Sequence, residues 1–211
     1  RFSQNGLALE ELNMDMASST IALIRSKSVV ILVSDIQGFT ALSEKLSPGD
    51  LAQVIGSWYS DCEIILSKHG ATVDKFIGDC VLAYWTDVSE STLAASVKAA
   101  RELLDSCNNI YEERKEVFDS AGQKFGVGVA LHTGKVAYGG MSQGEFTLVG
   151  DPVNLTFRIE SLTRTLNKDV LTTSEFMDAA PSMREFAENL GIQQIKGRAE
   201  PVEVWGFNRF P

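Results

Sequence analysis

Residues 29–40 read Val-Val-Ile-Leu-Val-Ser-Asp-Ile-Gln-Gly-Phe-Thr, and this stretch constrains the chain more than any other. Val29 to Val33 form an apolar run, β-branched except for Leu32, which predicts a buried strand. The strand ends on an acid, Asp35. Gly38 stands at a bend, and Phe39-Thr40 opens a helical pattern. An acid at the mouth of a buried strand, beside a helix N-terminus, is placed to hold a cation and to face a phosphate. By itself Asp35 is equally compatible with a phospho-acceptor of a receiver-type domain.

A second acid is placed in a similar way. Ala71–Ile77 and Cys80–Trp85 read as strands with only Gly78-Asp79 between them, a two-residue hairpin turn. If hairpin and first strand are sheet neighbours, Asp35 and Asp79 meet at one sheet end. Two acids forced together repel unless a divalent cation lies between them. The alternative is two separate, solvated acids.

The remaining pattern supplies helices and more strands. Helices are expected over Phe39–Leu46, Leu51–His69 and Ser91–Lys115, with Ser47-Pro48-Gly49-Asp50 as punctuation between the first two. Phe125–Thr133, Lys135–Met141 and Glu145–Val149 read as strands, with Gly139-Gly140 and Gly144 as weak points. Gly150-Asp151-Pro152 predicts a helix start with Asp151 as N-cap, running to Leu166. The end of the chain reads as strand 169–172, helix 174–180, and strands 191–196 and 202–207. This order predicts an α+β fold with a ferredoxin-like βαββαβ core and added helices and strands.

The formal net charge of −9 argues against a nucleic-acid partner. Cys62, Cys80 and Cys107 have no CxxC spacing and read as buried thiols in a reducing compartment, and His69 and His132 are too far apart in sequence to suggest zinc. No apolar run approaches the ~20 residues of a membrane span, and no signal peptide is visible, so a cytoplasmic domain is expected. The chain begins at Arg1 without Met, as a piece of a longer protein would. Residues 1–28, with Leu9, Leu12 and Met16 at helical spacing, read either as a connector to an upstream sensor or regulatory domain or as a chain end with no role of its own; residues 29–211 are the main domain.

Cations are sparse. Lys75 lies inside a strand, Arg158 follows Asn154 by one helical turn, and Arg198 sits in the turn Lys196-Gly197-Arg198. Each alone reads as a solvated side chain. Together they could serve a phosphate chain.

These residues resemble a family when taken in order. Asp35-Ile36-Gln37-Gly38-Phe39-Thr40 resembles the first metal motif of class III adenylyl and guanylyl cyclases, and Lys75-Phe76-Ile77-Gly78-Asp79 the second. Thr147 to Arg158 is similar to the third motif, in which Asn and Arg stand four apart. Lys196-Gly197-Arg198 with Glu200-Pro201-Val202 is similar to the closing motif. The likeness spans about residues 28–207.

The resemblance implies a class III nucleotidyl cyclase fold and a two-metal reaction. Asp35, Asp79 and the Ile36 carbonyl would bind two Mg²⁺ or Mn²⁺ ions. Asn154 would orient the ribose, and Arg158 would stabilise charge on the α-phosphate. Arg198, or Lys196 beside it, would hold the terminal phosphates, with the helix N-terminus at Gly38, Phe39 and Thr40 adding amide contacts. Lys75 and Thr147 would read the base as donor to adenine N1 and acceptor from N6, which implies ATP over GTP; similar guanylyl cyclases carry an acid at the lysine position. Thr147 also resembles the subgroup holding bicarbonate-responsive and light-activated cyclases, so bicarbonate is a candidate activator. The family shares its site across a head-to-tail homodimer. The alternatives are a guanylyl cyclase, a silent nucleotide-binding module, or a diguanylate cyclase, whose GGDEF-type turn is absent here.

Overall fold

The structure is a computed structural model and describes residues 25–142 and 145–210. The connector helix expected around Leu9, Leu12 and Met16, and Gly144, lie outside the described residues. Strand β1 (Arg25–Ile36) runs through the middle of an eight-stranded sheet. Val30, Leu32 and Ile36 pack into one cluster, and Val29, Ile31 and Val33 into another on the opposite face. Burial on both faces explains why the run is unbroken rather than alternating. The strand starts at Arg25, ahead of the expected Val29. Its first four residues are exposed and held by pairing to β4 (Val127–Ser142), so no hydrophobic pattern marks them.

After β1 come α1 (Phe39–Lys45), α2 (Pro48–Lys68), the hairpin β2 (Thr72–Ile77) and β3 (Cys80–Trp85), α3 (Glu90–Glu113), a short α4 (Lys115–Ser120) and β4. The order β2-β3-β1-β4, with each neighbouring pair antiparallel, is the expected ferredoxin-like core. The rest is β5 (Glu145–Val149), α5 (Asp151–Ser161), a single turn α6 (Thr163–Leu166), β6 (Val170–Thr173), α7 (Ser174–Ala179), a 3₁₀ turn (Pro181–Phe186), β7 (Ala187–Gln193) and β8 (Val202–Phe207). They extend the sheet as β4-β6-β8-β7, with β6 parallel to β4 and β5 folded back on β4. Residues of α2 and α3 cover one face of the sheet; α5 covers the other through Val153, Leu155 and Ile159. Cys62, Cys80 and Cys107 are buried free thiols. Among the described residues no helix is long and apolar enough to cross a membrane.

Several boundaries differ from the sequence reading for local reasons. Ser47-Pro48-Gly49-Asp50 is the first turn of α2, with the Ser47 hydroxyl accepting the Asp50 N–H at 3.1 Å. The two strands expected on either side of Gly134 are one 16-residue strand. Gly134 lets the backbone approach α5: a Cβ there would lie 2.5 Å from Pro152 Cγ. Asp151 does not cap α5; Gly150 holds that position, and the Asp151 carboxylate pairs with Arg198. The helix expected to run to Leu166 is divided at Leu162. β7 begins at Ala187 rather than at residue 191, paired by backbone to β8.

Gly134→Ala should therefore cost about 1–3 kcal/mol by overpacking against Pro152. Gly56→Ala, at an exposed helical site with nothing within 4 Å of the new Cβ, should stabilise by up to about 1 kcal/mol. Paired denaturant titrations check both; equal effects would remove the close approach as the reason for Gly134.

Candidate active site

Asp35 follows Val29, Ile31 and Val33 at alternate positions, so it faces the α5 side of the sheet. Asp79 occupies the tip of the β2–β3 hairpin, after Gly78 at φ +61°. The Ile36 N–H donates to Asp79 Oδ2 at 3.2 Å, tying the tip to the end of β1. Helix α2 holds the same tip. Trp58 Nε1 donates to the Asp79 carbonyl at 3.3 Å, and the Tyr59 hydroxyl donates to the Gly78 carbonyl, its ring stacked 4.1 Å from Phe76. Trp58 lies within the helix expected over Leu51–His69, with no site role expected for it. Its buried indole N–H, which needs a partner, was the available signal.

The acids meet as expected. Burial, a hydrogen bond with Asp79 and the Asp79 charge push the Asp35 carboxyl up to about 7; Glu160 adds to this and Arg164 opposes it. Arg164 Nη2 lies 3.7 Å from Asp35 Oδ2. Glu160, on α5, is a third acid that sequence reasoning missed. It is 4% exposed, and burial pushes its carboxyl up to about 7. Thr163 is near enough to favour the ionised form, yet Oε1 lacks an aligned protein partner. Gly128, the sheet partner of Asp35, makes room: a Cβ there would lie 2.5 Å from Glu160 Oε1. An acid at helical spacing from Val153 and Thr156, on the inward face, was the legible sign.

A divalent cation fits this pair, because it would offset the repulsion that raises the Asp35 pKa. Among the described residues no group of three or more His, Cys, Asp or Glu side chains forms a cage. Two carboxylates and a carbonyl leave room for water and phosphate oxygens, as Mg²⁺ sites commonly do.

Lys75 and Thr147 also come together, 72 positions apart, with Lys75 Nζ donating to Thr147 Oγ1 at 2.8 Å. Thr147 Oγ1 donates in turn to Asp74 Oδ2 at 3.1 Å, and Asp74 pairs with Lys75 at 3.4 Å. Asp74 was not anticipated.

The third group lies around α5. Asn154 is exposed and Arg158 half-buried. Arg158 borders a cavity of about 430 Å³ with Lys196 and Gly197. Gly197, at φ +77°, lies so close that a Cβ would come 3.4 Å from Arg158 Nη2. Arg198 pairs with Asp151, and its Nε has no protein partner. Lys196 is exposed. Helix α1 begins at Gly38, φ +69°, without a capping side chain, so the first amides after it, at Phe39 and Thr40, have no side-chain acceptor.

No hydrogen bond or ion pair among the described residues joins the Asp35–Asp79 pair to Lys75, Thr147, Asn154, Arg158 or Arg198. Glu160 acts on the acid pair, whereas Arg158, two residues earlier, is about 200° around the helix.

A family profile described as the adenylate and guanylate cyclase catalytic domain matches residues 21–208. The chain belongs to this family. The cyclase domain is 24% identical over 185 residues to an adenylate cyclase of Anabaena cylindrica, covering 85% of this chain and 36% of that protein. Among solved structures it is similar to a bacterial light-regulated adenylyl cyclase, with 28% identity, a TM-score of 0.76, and coverage of 88% and 53%. It is also similar to the guanylyl cyclase Cya2, with 25% identity, a TM-score of 0.77, and coverage of 90% and 95%. The chain thus spans about a third of the Anabaena protein and about half of the light-regulated one.

Asp35 and Glu160 keep a proton to about pH 7 in the folded cyclase domain, against ordinary values of 3.8 and 4.5. Between those limits the folded state binds more protons than the unfolded one. Stability therefore falls as pH rises through that window and levels off above it. In chelator, Glu160→Gln should unfold at the same temperature as the parent near pH 4 and several degrees higher at pH 8. Scanning calorimetry across the window checks this, and a constant difference would remove the buried proton on Glu160.

Proposed function

We propose that the domain converts ATP to 3′,5′-cyclic AMP and pyrophosphate, in sites shared between two copies of the chain. The observation that carries the choice of base is the 2.8 Å contact of Lys75 with Thr147. It sets an ammonium donor beside a hydroxyl on one surface. Adenine offers an acceptor at N1 and a donor at N6, which that pair satisfies. Guanine offers N1–H and O6, and the mismatch leaves polar groups unpaired. The curated Anabaena relative is named an adenylate cyclase, which supports the same choice.

Asp35, Asp79 and the Ile36 carbonyl would hold two Mg²⁺ or Mn²⁺ ions, which when bound lower the pKa of the ribose 3′-hydroxyl and neutralise phosphate charge. Asn154 orients the ribose so that its 3′-oxygen lies in line with the α-phosphorus and opposite the leaving pyrophosphate. Arg158 stabilises the negative charge that builds on the α-phosphoryl oxygens. Arg198, steadied by Asp151, and the unencumbered Lys196 bind the terminal phosphates. The amides of Gly38, Phe39 and Thr40 serve the same phosphates from the acid side. The new O3′–P bond forms as the P–O bond to pyrophosphate breaks, and the 3′-proton leaves to phosphate or solvent.

A site shared across a head-to-tail homodimer is supported by the lack, among the described residues, of any hydrogen bond or ion pair between the acid pair and the other groups within one chain. Each chain carries both halves, and a two-fold pairing completes two sites at once. In this reading residues 29–211 are the catalytic domain, and residues 1–28 join it to a regulatory domain. Bicarbonate is tested by adding it to the same assay.

With Mn²⁺ and ATP the protein should form cyclic AMP, and chelator should abolish this. Asp35→Ala and Asn154→Ala should each lose at least about 10²-fold in kcat. Mixing the two variants should restore about a quarter of parental activity, since half the dimers are mixed and each has one intact site. No restoration in mixed dimers would mean a site complete within one chain, and preference for GTP would favour the guanylyl alternative.

A further inference from the structure

The base-facing surface holds a residue that neither the motifs nor the mechanism above uses. Strand β2 bulges between Val73 and Lys75: Val73 pairs with Ala83 and Lys75 with Leu82, adjacent residues of β3, so Asp74 is the extra residue. A bulge re-aims side chains, and here both Asp74 and Lys75 reach Thr147. The Asp74 side chain is 1% exposed, while that of Lys75 is 45% exposed. A carboxylate so withdrawn from water is kept for its partners, which are the Thr147 hydroxyl and the Lys75 ammonium.

The hydrogen-bond inventory of Thr147 then closes. A hydroxyl has one hydrogen and two lone pairs. One lone pair receives the Lys75 N–H at 2.8 Å. The single hydrogen goes to Asp74 Oδ2 at 3.1 Å, and an ionised carboxylate can only accept. The remaining lone pair is all that Thr147 can offer a ligand. A threonine free to rotate could instead turn its hydrogen outward and donate to a carbonyl such as guanine O6.

We propose that Asp74 is a positioning residue that fixes Thr147 as a hydrogen-bond acceptor and so sharpens discrimination against guanine. This rests on the reading that Lys75 and Thr147 face the base. Asp74 touches no substrate. It acts through Thr147.

The test compares kcat/KM for ATP and GTP, with Mn²⁺, in the parent, Asp74→Ala, Thr147→Val and the double variant. Asp74→Leu, which keeps the branching and heavy-atom count but is apolar and bulkier, runs in parallel, and thermal midpoints identify which Asp74 variant stays folded. Asp74→Ala or Asp74→Leu should lower the ATP:GTP ratio about tenfold, the worth of one hydrogen bond, through a lower KM for GTP. In the Thr147→Val background the same change should leave the ratio where Thr147→Val alone puts it. A ratio that falls equally in both backgrounds, or an equal loss for both nucleotides, overturns the positioning role while leaving the base-reading pair intact. A Thr147→Val variant with the parental ratio overturns the base-reading pair itself, and the role of Asp74 with it.

Discussion

The apposition of Asp35 and Asp79 is the constraint on which the rest of this structure depends. Two carboxylates lie at one sheet end, with a third behind them on α5, and burial together with their mutual interaction pushes the Asp35 carboxyl up to about 7. The fold supplies the force that keeps them there. β1 is buried on both faces and cannot shift by one residue without turning its apolar set around. The hairpin tip is tied at three points, by the Ile36 amide, the Trp58 indole and the Tyr59 hydroxyl. A tip tied in this way would lose little freedom on binding a cation.

How much of this was legible depended on range. The buried strand, the hairpin and its two acids follow from periodicity and turn chemistry, which act within a few residues. The cyclase likeness rests on those same local motifs. Asp74 was not legible, because its role arises from a bulge that only the pairing of β2 with β3 creates. Glu160 and Gly128 were missed for a related reason. The glycine is required by a side chain 32 positions away that would collide with a Cβ. Asp151 was misread as a cap because Asp before Pro is a sound local signal, and a distant arginine outcompeted the local amide. β4 was divided in two because a glycine within a strand usually weakens it, whereas here Gly134 admits Pro152.

The proposed function requires an acidic chain to handle a tetra-anionic substrate. A net charge of −9 repels nucleotides at long range, so attraction must be local. Three cations near these groups are already paired: Arg198 with Asp151, Lys75 with Asp74, Arg164 with Asp35. Pairing lowers the field each cation shows to a distant anion. It also removes the rotamer freedom that a long side chain would lose on binding, and it leaves unused donors pointing in set directions. Arg198 shows this most clearly, with one nitrogen on Asp151 and a buried Nε lacking any protein acceptor. Affinity in such a site would come from donors whose geometry is set in advance and from cations held by the acid pair. Under the proposed function, the acids that make the chain unattractive to phosphate in general would be the ones that make it selective for a phosphate arriving with metal.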